Sequence, residues 1–225
     1  MPTVSKEDYI KAIYNTKNSG NGTATTSGIA EKLDVSKAAT SEMVQKLSDL
    51  GLVDYEKYKG MSLTSEGERV ALQILRRHRI WEMFLIEVLG LSWSEVHDEA
   101  ERLEHSTSDF LIDKIEEFLG FPKFDPHGSP IPNKNFELPD APLIYSLNEV
   151  SIGFSYKISR VLDKSNELMK YFTKIGVALH KEVFVKEILS FDGSVVIQID
   201  GNEITISQKT AGYIFVCMPE GGAIG

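Results

Sequence analysis

Apolar residues recur three and four positions apart through roughly the first half of the chain and in short alternating runs towards its end. Helices are therefore expected first and strands later. Ser5 and Asp8 have the spacing of a capping box just ahead of Tyr9, Ile10, Ile13 and Tyr14, which predicts an opening amphipathic helix. Lys17 to Thr25 reads as a loop. Thr26 is placed to cap a short helix carrying Ile29, Ala30 and Leu33, and Asp34-Val35-Ser36 makes a tight turn. Ser36 caps a second helix with Ala39, Met43, Val44, Leu47 and Leu50 on one face, and Gly51 stops it. Leu52 to Tyr55, a basic turn Lys57-Tyr58-Lys59-Gly60, and Met61 to Leu63 read as a small hairpin.

Helix, short helix, turn, helix, hairpin is the order of a winged helix-turn-helix, in which the second helix of the pair enters a major groove while the first braces it. Ser36, Lys37, Ala38, Ala39, Thr40 and Ser41 stand at the leading end of that helix, with Thr26 at the start of its brace. Small side chains permit close approach, and hydroxyls and Lys37 suit phosphates or base edges. Lys46, Lys57 and Lys59 are candidate phosphate contacts. The plain alternative is a helical hairpin with a solvated lysine face.

From Ser65 the chain is helical over a long stretch, and Val70, Leu72, Ile74, Leu75, Ile80, Trp81, Phe84, Leu85, Val88 and Leu89 exceed one core-facing stripe. A helix apolar on more than one face packs against a partner as well as its own core, so a homodimer is expected. Six of the eight prolines fall between Gly120 and Pro142, which predicts an irregular segment. Beyond it, Lys157 to Val161, Val183 to Ile188, Val195 to Ile199, Glu203 to Ile206 and Tyr213 to Val216 read as strands around an amphipathic helix, Ser165 to Gly176. Asp192-Gly193 and Asp200-Gly201-Asn202 are turn signals, and the unit is expected to be separate, small and barrel-like. The expected division is a winged helix-turn-helix over 1–74, a helical dimerisation and metal-binding domain over 75–140, a linker over 141–150, a β domain over 151–218 and a tail over 219–225. The fold class is thus mostly α with a small β domain.

Charge first argues against a nucleic-acid partner, because the 225 residues carry a net charge of -9. Its distribution reverses that inference. Residues 1 to 80 hold twelve basic and ten acidic side chains, a net of +2, and the remainder hold twelve against twenty-three, a net of -11. One cysteine, Cys217, rules out a disulfide scaffold, and the sequence reads as neither a membrane span nor a secretory signal, so the cytoplasm is the expected location.

The acidic part contains His97-Asp98-Glu99-Ala100-Glu101-Arg102-Leu103-Glu104-His105. On a helix His97, Glu101, Glu104 and His105 fall at i, i+4, i+7 and i+8, which lines one face with imidazoles and carboxylates, and His78 with Glu82 makes a second i, i+4 pair. Nitrogen and oxygen donors without thiolate suit a divalent ion of intermediate hardness such as Mn²⁺ or Fe²⁺. A solvated acidic face with paired histidines is the alternative. The duplicate Glu-x-x-His of a di-iron bundle, a nucleophile elbow, a phosphate loop and a dinucleotide fingerprint are all missing, so catalysis has little support.

Taken together, Glu7-Asp8-Tyr9-Ile10 with Ile13-Tyr14, Ile29-Ala30-Glu31-Lys32-Leu33, His78-Arg79 with Glu82, His97-Asp98-Glu99-Ala100 through Glu104-His105, and Pro126-His127-Gly128 with Pro130-Ile131-Pro132 resemble the metal-dependent repressors of the diphtheria-toxin-repressor type, in the branch with a C-terminal SH3-like (FeoA-like) domain. The resemblance covers nearly the whole chain. It implies a primary metal site at Asp8, Glu101, Glu104 and His105; iron-type members place Met and Cys where this chain has Asp8 and Glu101, and manganese-type members use carboxylates. Small dinuclear manganese members carry Glu where this chain has Lys11, which argues against an identical two-metal cluster. A second site is implied either at His78, Glu82 and His97 or at Glu82 with Asp125, His127 and an acid of the C-terminal domain, Asp163 or Glu167. The function implied is a homodimeric repressor that senses Mn²⁺ (or Fe²⁺), binds double-stranded operator DNA and controls metal uptake, with no membrane partner. The rival is a metalloenzyme with an accessory helix-turn-helix.

Overall fold

The computed structural model describes residues 5–18, 23–56 and 59–218. Helix α1 (Lys6–Asn18) starts at the expected capping box: the Ser5 amide donates to Asp8 Oδ2 at 2.6 Å and the Asp8 amide to Ser5 Oγ at 3.2 Å. It runs one residue past Lys17, into the segment expected to be a loop, of which residues 19–22 lie outside the described part. In α2 (Thr26–Lys32) the cap is Thr25, whose side chain accepts from the Gly28 amide, and Thr26 is the first helical residue. Two adjacent threonines offer the same chemistry, and spacing alone does not separate them. Ser36 caps α3 (Lys37–Asp49) as expected, and Gly51, at φ 72°, ends it. Strands β1 (Val53–Glu56) and β2 (Gly60–Leu63) form the antiparallel wing. Tyr9, Ile10, Ile13, Ile29, Val44, Leu47 and Met61 close this core.

Helix α4 (Ser65–Glu87) is continuous through the expected 74/75 boundary, and its two halves serve different cores. Ala71 and Ile74 belong to the winged helix-turn-helix, whereas Ile80 and Met83 pack with Ile112, Ile115 and Ile131. Helix α5 (Trp93–Glu104) follows, and then α6 (Asp109–Phe118), an element absent from the sequence-based expectation. Phe110, Leu111, Phe118 and Phe121 near α6, with Val88 and Leu89 at the end of α4, are exposed.

The C-terminal sheet has the order β3-β8-β4-β5-β6-β7, with β3 (Tyr145–Ser146), β4 (Phe154–Val161), β5 (Glu182–Ile188), β6 (Val195–Ile199), β7 (Asn202–Ile206) and β8 (Ile214–Cys217), all neighbours antiparallel. Register shifts between Ile158 and Arg160 and between Val185 and Glu187 bend it, as bulges do. Because β3 and β7 are its two ends, the sheet is open where a closed barrel was expected; the SH3-like description still holds. Helix α7 (Asn166–Lys174) contributes Met169 and Phe172 to the core of this unit, and α8 (Gln208–Ala211) is one short turn. Beyond residue 218 the expected tail lies outside the described residues.

The β unit is docked, not separate. Trp93 of α5 packs against its core, and Asn166 Nδ2 donates to Asp98 Oδ2 at 3.0 Å. The proline-rich loop joins it as well, since the Val161 amide donates to the His127 carbonyl at 2.9 Å. Gly128 sits at φ 87°, and a Cβ there would lie 2.0 Å from the Ser159 carbonyl oxygen. Only glycine permits that approach.

Candidate metal centre

Two clusters of ligand-type side chains meet around α4 and α5. In the first, Asp8 of α1 and Glu101, Glu104 and His105 of α5 and its C-cap place ligand atoms within 4.8 Å of one another. His105 Nε2 is 2.9 Å from Asp8 Oδ1 and 3.5 Å from Glu104 Oε1, and its Nδ1 is 2.6 Å from Glu7 Oε2. Asp8 therefore divides its carboxylate, with Oδ2 in the helix cap and Oδ1 towards the cluster. The cap and the cluster do not compete for one atom. Glu104 is fully buried.

Lys11 enters the same cluster. Its ammonium donates to Glu101 Oε2 at 2.6 Å and to Glu104 at 2.9 and 3.0 Å. Burial opposes the Lys11 charge, but Glu104 and Glu101 outweigh burial and raise its pKa. Glu101 shows the reciprocal effect: burial acts against its charge, and Lys11 and His78 nevertheless hold its pKa below the usual value. For His105, burial is overcome by the Glu7 hydrogen bond and by Glu104 and Asp8, so its pKa is raised. The sequence marks Lys11 only as a departure from a pattern and gives Glu7 no contact. The signal for Lys11 is its position three residues after Asp8, on one face of α1.

In the second cluster Glu82 is grouped with His97 and Asp163, and again with Asp125 and His127, in each case within 4.8 Å. Asp163 Oδ2 lies 3.4 Å from His97 Nδ1 and 3.9 Å from His127 Nε2, and Glu82 Oε1 lies 3.7 Å from His97 Nδ1 and 3.8 Å from His127 Nδ1. Three buried atoms, His97 Nδ1, His127 Nε2 and Asp163 Oδ2, have no hydrogen-bond partner among the described residues. Buried polar atoms are rarely left unpaired, and donor atoms about 2.0–2.2 Å from a shared ion stand roughly 3–3.5 Å apart. The donor set thus fits a divalent cation. Glu167 is exposed and belongs to neither cluster.

Asp125 does other work as well: Oδ1 accepts from the amides of His127 and Ser129 at 2.9 and 2.8 Å, and Oδ2 is 3.5 Å from Arg79 Nε. These contacts shape the loop that presents His127. Burial and the nearby Glu82 raise the Asp125 pKa, and burial raises that of Asp163. His127 is raised because Glu82 and the two aspartates outweigh its burial. For Glu82, burial is overridden by His78 and the neighbouring imidazoles, and its pKa falls well below normal.

His78 links the clusters, with Nδ1 2.5 Å from Glu104 Oε2 and Nε2 3.1 Å from Glu82 Oε1. Burial and Lys11 oppose its charge, yet the two carboxylates raise its pKa from 6.5 to about 9. The stabilisation from this imidazolium is complete below the unfolded value of 6.5 and is lost as pH rises through about 9. The metal-free chain should therefore melt at progressively lower temperature between these limits. Melts in chelator read this, and a slope unchanged in His78→Gln would assign it to another group.

On the DNA side, Lys37, Ala38 and Ala39 are exposed at the start of α3, with Ser41 and Thr26 partly so. Ser36 is exposed too, and its Oγ accepts from the Ala39 amide. Thr40 is a correction: it is fully buried and its hydroxyl donates to the Ser36 carbonyl, so it belongs to the core and not to a DNA face. Of the residues expected to share one apolar face, Val44 and Leu47 are buried, whereas Ala39 and Leu50, at its two ends, are exposed. Lys46 pairs with Glu42 and Lys59 with Glu56, both on the surface, and Lys57 lies outside the described residues.

Three family models match consecutive stretches: the iron dependent repressor N-terminal DNA binding domain over residues 1–61, the iron dependent repressor metal binding and dimerisation domain over 64–133, and the FeoA domain over 145–217. The chain is 42% identical over 125 residues to the HTH-type transcriptional regulator MntR of Oceanobacillus iheyensis, covering 56% of this chain and 84% of that protein. It is 36% identical over 126 residues to the iron-dependent repressor IdeR of Mycobacterium bovis, 56% of this chain and 54% of that one. Among solved structures, a manganese-dependent transcriptional repressor in complex with manganese superposes with a TM-score of 0.89 at 36% identity, over 96% of this chain and 100% of the other.

Proposed function

This chain belongs to the iron-dependent repressor family of metal-dependent transcriptional regulators, and from that premise we propose a cytoplasmic homodimer that binds Mn²⁺, with Fe²⁺ as the second candidate, and in that state binds operator DNA controlling metal uptake. The carrying observation is that Asp8, on the first helix of the winged helix-turn-helix, lies within 4.8 Å of Glu101, Glu104 and His105 on α5 and its C-cap. These four are the proposed primary ligands. Glu82, His97, His127 and Asp163, with Asp125 and His78 beside them, form the proposed second site, and the three unpartnered buried atoms support it. Oxygen donors at Asp8 and Glu101 support Mn²⁺ as the cognate ion. The likeness to MntR, IdeR and the manganese-dependent repressor supports the repressor reading over an enzyme with a helix-turn-helix accessory.

A bound divalent ion would supply positive charge shared by carboxylates on two domains. The side chains that hold it connect those domains to the DNA face. Holding Asp8 would hold α1, which packs on α2 and α3 with Ile10 and Ile13 in the same core, so its position would set that of the recognition helix. Glu101 and Glu104 fix the other end on α5, which packs along α4. In the dimer, the separation of two recognition helices must match the spacing of two half-sites. A ligand favours that arrangement only by its greater affinity for it. The exposed Phe110, Phe118 and Phe121 lie within the stretch matched as a dimerisation domain, and we assign the partner contact to them. No described helix is long and apolar enough to cross a membrane. The proposed division into domains keeps its boundaries at 74, 140 and 218, with α4 shared across the first, but the β domain begins at 145 and not 151, because β3 and Leu147 of the expected linker belong to its sheet and core.

Binding to a duplex from the chain's own upstream region, at fixed pH and salt, tests the proposal. Affinity should rise with Mn²⁺ and fall to the nonspecific level in chelator; equal affinity in both would overturn the metal switch. Running Fe²⁺, Co²⁺ and Zn²⁺ in parallel identifies the preferred ion by DNA affinity. Tight Zn²⁺ binding alone decides little, since intrinsic affinity rises from Mn²⁺ towards Zn²⁺.

A further inference from the structure

Consecutive residues of α1 meet the two ring nitrogens of His105. Its Nε2 is 2.9 Å from Asp8 Oδ1, inside the cluster of proposed ligands, and its Nδ1 is 2.6 Å from Glu7 Oε2. The two nitrogens of an imidazole point away from each other, so Glu7 stands at the opposite edge of the ring from the cluster. Among the described residues it is in none of the groups whose ligand atoms converge. An ionised carboxylate only accepts hydrogen bonds, so the nitrogen facing Glu7 carries a hydrogen. Glu7 is itself braced: Arg77 of α4 brings Nη1 to 3.9 Å from Glu7 Oε1 and donates from Nη2 and Nε to Asp109 Oδ1 at 2.8 and 3.1 Å. Asp109 is the first residue of α6, so the run of contacts from His105 through Glu7 and Arg77 to Asp109 begins and ends on the short segment that joins α5 to α6. Trp81 Nε1 pins that segment too, donating to Thr107 Oγ1 at 2.9 Å.

We propose that Glu7 is a positioning residue of the first metal site: its carboxylate holds the Nδ1 hydrogen of His105 and thereby presents Nε2, and not Nδ1, as the ligand atom. The inference rests on the proposed metal-binding function. A neutral imidazole offers one bare nitrogen to a cation, and the hydrogen bond made by the other nitrogen decides which one it is. His105 needs such a partner because it is the exposed C-cap of α5, where little packing holds a ring in one orientation. A carboxylate partner also raises the basicity of the imidazole it holds, and outer partners of this kind contribute about 10- to 100-fold to metal affinity. Glu7 and Asp8 are adjacent on α1, so the turn that supplies one ligand also supplies the group that aims another. Ring and helix are in register before an ion arrives, and the Arg77 brace keeps Glu7 from swinging into solvent.

The experiment compares the full-length wild type with Glu7→Gln and Glu7→Ala. In NMR spectra of the chain loaded with Zn²⁺, a diamagnetic probe, and carrying isotopically labelled histidines, the His105 ring is identified by its loss in His105→Gln. Wild type should show the His105 hydrogen on Nδ1, protected from exchange with water. Glu7→Gln keeps an acceptor oxygen and should keep that signal, whereas Glu7→Ala should lose it to exchange. Mn²⁺ isotherms, taken in a background of His127→Ala and Asp163→Ala that disables the other cluster, should show the dissociation constant raised about 10- to 100-fold by Glu7→Ala and by less than about tenfold by Glu7→Gln. Both variants remove the same charge, so equal weakening would mean that Glu7 acts by charge alone and would overturn the inference. A His105 hydrogen on Nε2 in wild type, or an affinity unmoved in Glu7→Ala, would overturn it too, and each of these results leaves the proposed function standing. Should Glu7→Ala not fold, the wild-type hydrogen position and the Glu7→Gln affinity decide. An absence of Mn²⁺ binding in wild type would instead overturn the proposed function, and this inference with it.

Discussion

Replacing Asp8 with asparagine should leave the chain folded and remove its metal-dependent gain in DNA affinity. The two oxygens of Asp8 make the separation possible: Oδ2 accepts from the Ser5 amide at 2.6 Å, and Oδ1 is turned to His105 Nε2 at 2.9 Å. Asparagine keeps an oxygen for the capping box but loses the negative charge at the cluster. Complete loss of a helix cap costs about 1 kcal/mol, so Asp8→Asn should cost less. Loss of an outer partner of a metal ligand already weakens ions about 10- to 100-fold, and loss of a charged ligand should exceed that. The Mn²⁺ concentration giving half-maximal DNA binding should therefore rise by at least about that factor. Fluorescence anisotropy on a labelled duplex reads the shift, and a melt in chelator confirms the fold. A folded variant with an unmoved half-point would remove Asp8 from the site. Asp8→Ala should give the same loss of response plus the missing cap.

Whether a feature is legible in the sequence depends on whether its signal is local. The cap of α1 and the cap of α3 are chemical signatures within four residues, and Ser5, Asp8 and Ser36 announce them. The face of α5 is equally legible, because 3.6 residues per turn aligns His97, Glu101, Glu104 and His105 without knowledge of any other element. Helix α6 escapes because its apolar residues divide between two environments: Ile112 and Ile115 face the core, while Phe110, Leu111 and Phe118 face outward. That division blurs the single stripe by which an amphipathic helix is recognised. Thr40 is misplaced for a related reason, since a hydroxyl that satisfies the Ser36 carbonyl within its own helix can be buried like an apolar group. Lys11 can be seen to share a face with Asp8, but not that Glu101 and Glu104 close around it from α5. The second cluster is the least legible, because Asp163 reaches His97 and His127 only when the β unit is docked. No local pattern around Asp163 carries that information.

The residue on which the docking turns is Gly128, and Gly128→Ala should release the β unit and empty the second site while sparing the first. An alanine at φ 87° is strained by about 1–3 kcal/mol in itself. Its Cβ would also lie 2.0 Å from the Ser159 carbonyl oxygen and 2.9 Å from Arg160 Cα, both backbone atoms that no side-chain rotation can clear. The loop must therefore withdraw from β4, which breaks the hydrogen bond from the Val161 amide to the His127 carbonyl, worth about 1 kcal/mol net. Docking should weaken by about 3 kcal/mol or more, a value in the tail of single-substitution effects. With the loop displaced, His127 Nε2 no longer stands 3.9 Å from Asp163 Oδ2, and the four donors around Glu82 no longer converge. The Asp8, Glu101, Glu104 and His105 cluster uses none of this loop. The Mn²⁺ count should accordingly fall by one per chain, and protease should cut more readily between residues 133 and 144. Gly90→Ala separates strain from overlap, since Gly90 has φ 73° with nothing within 4 Å of its added Cβ. It should lose only the stability due to backbone strain and keep both ions. Equal behaviour of the two alanine variants would mean that close packing at Gly128 does not hold the β unit in place.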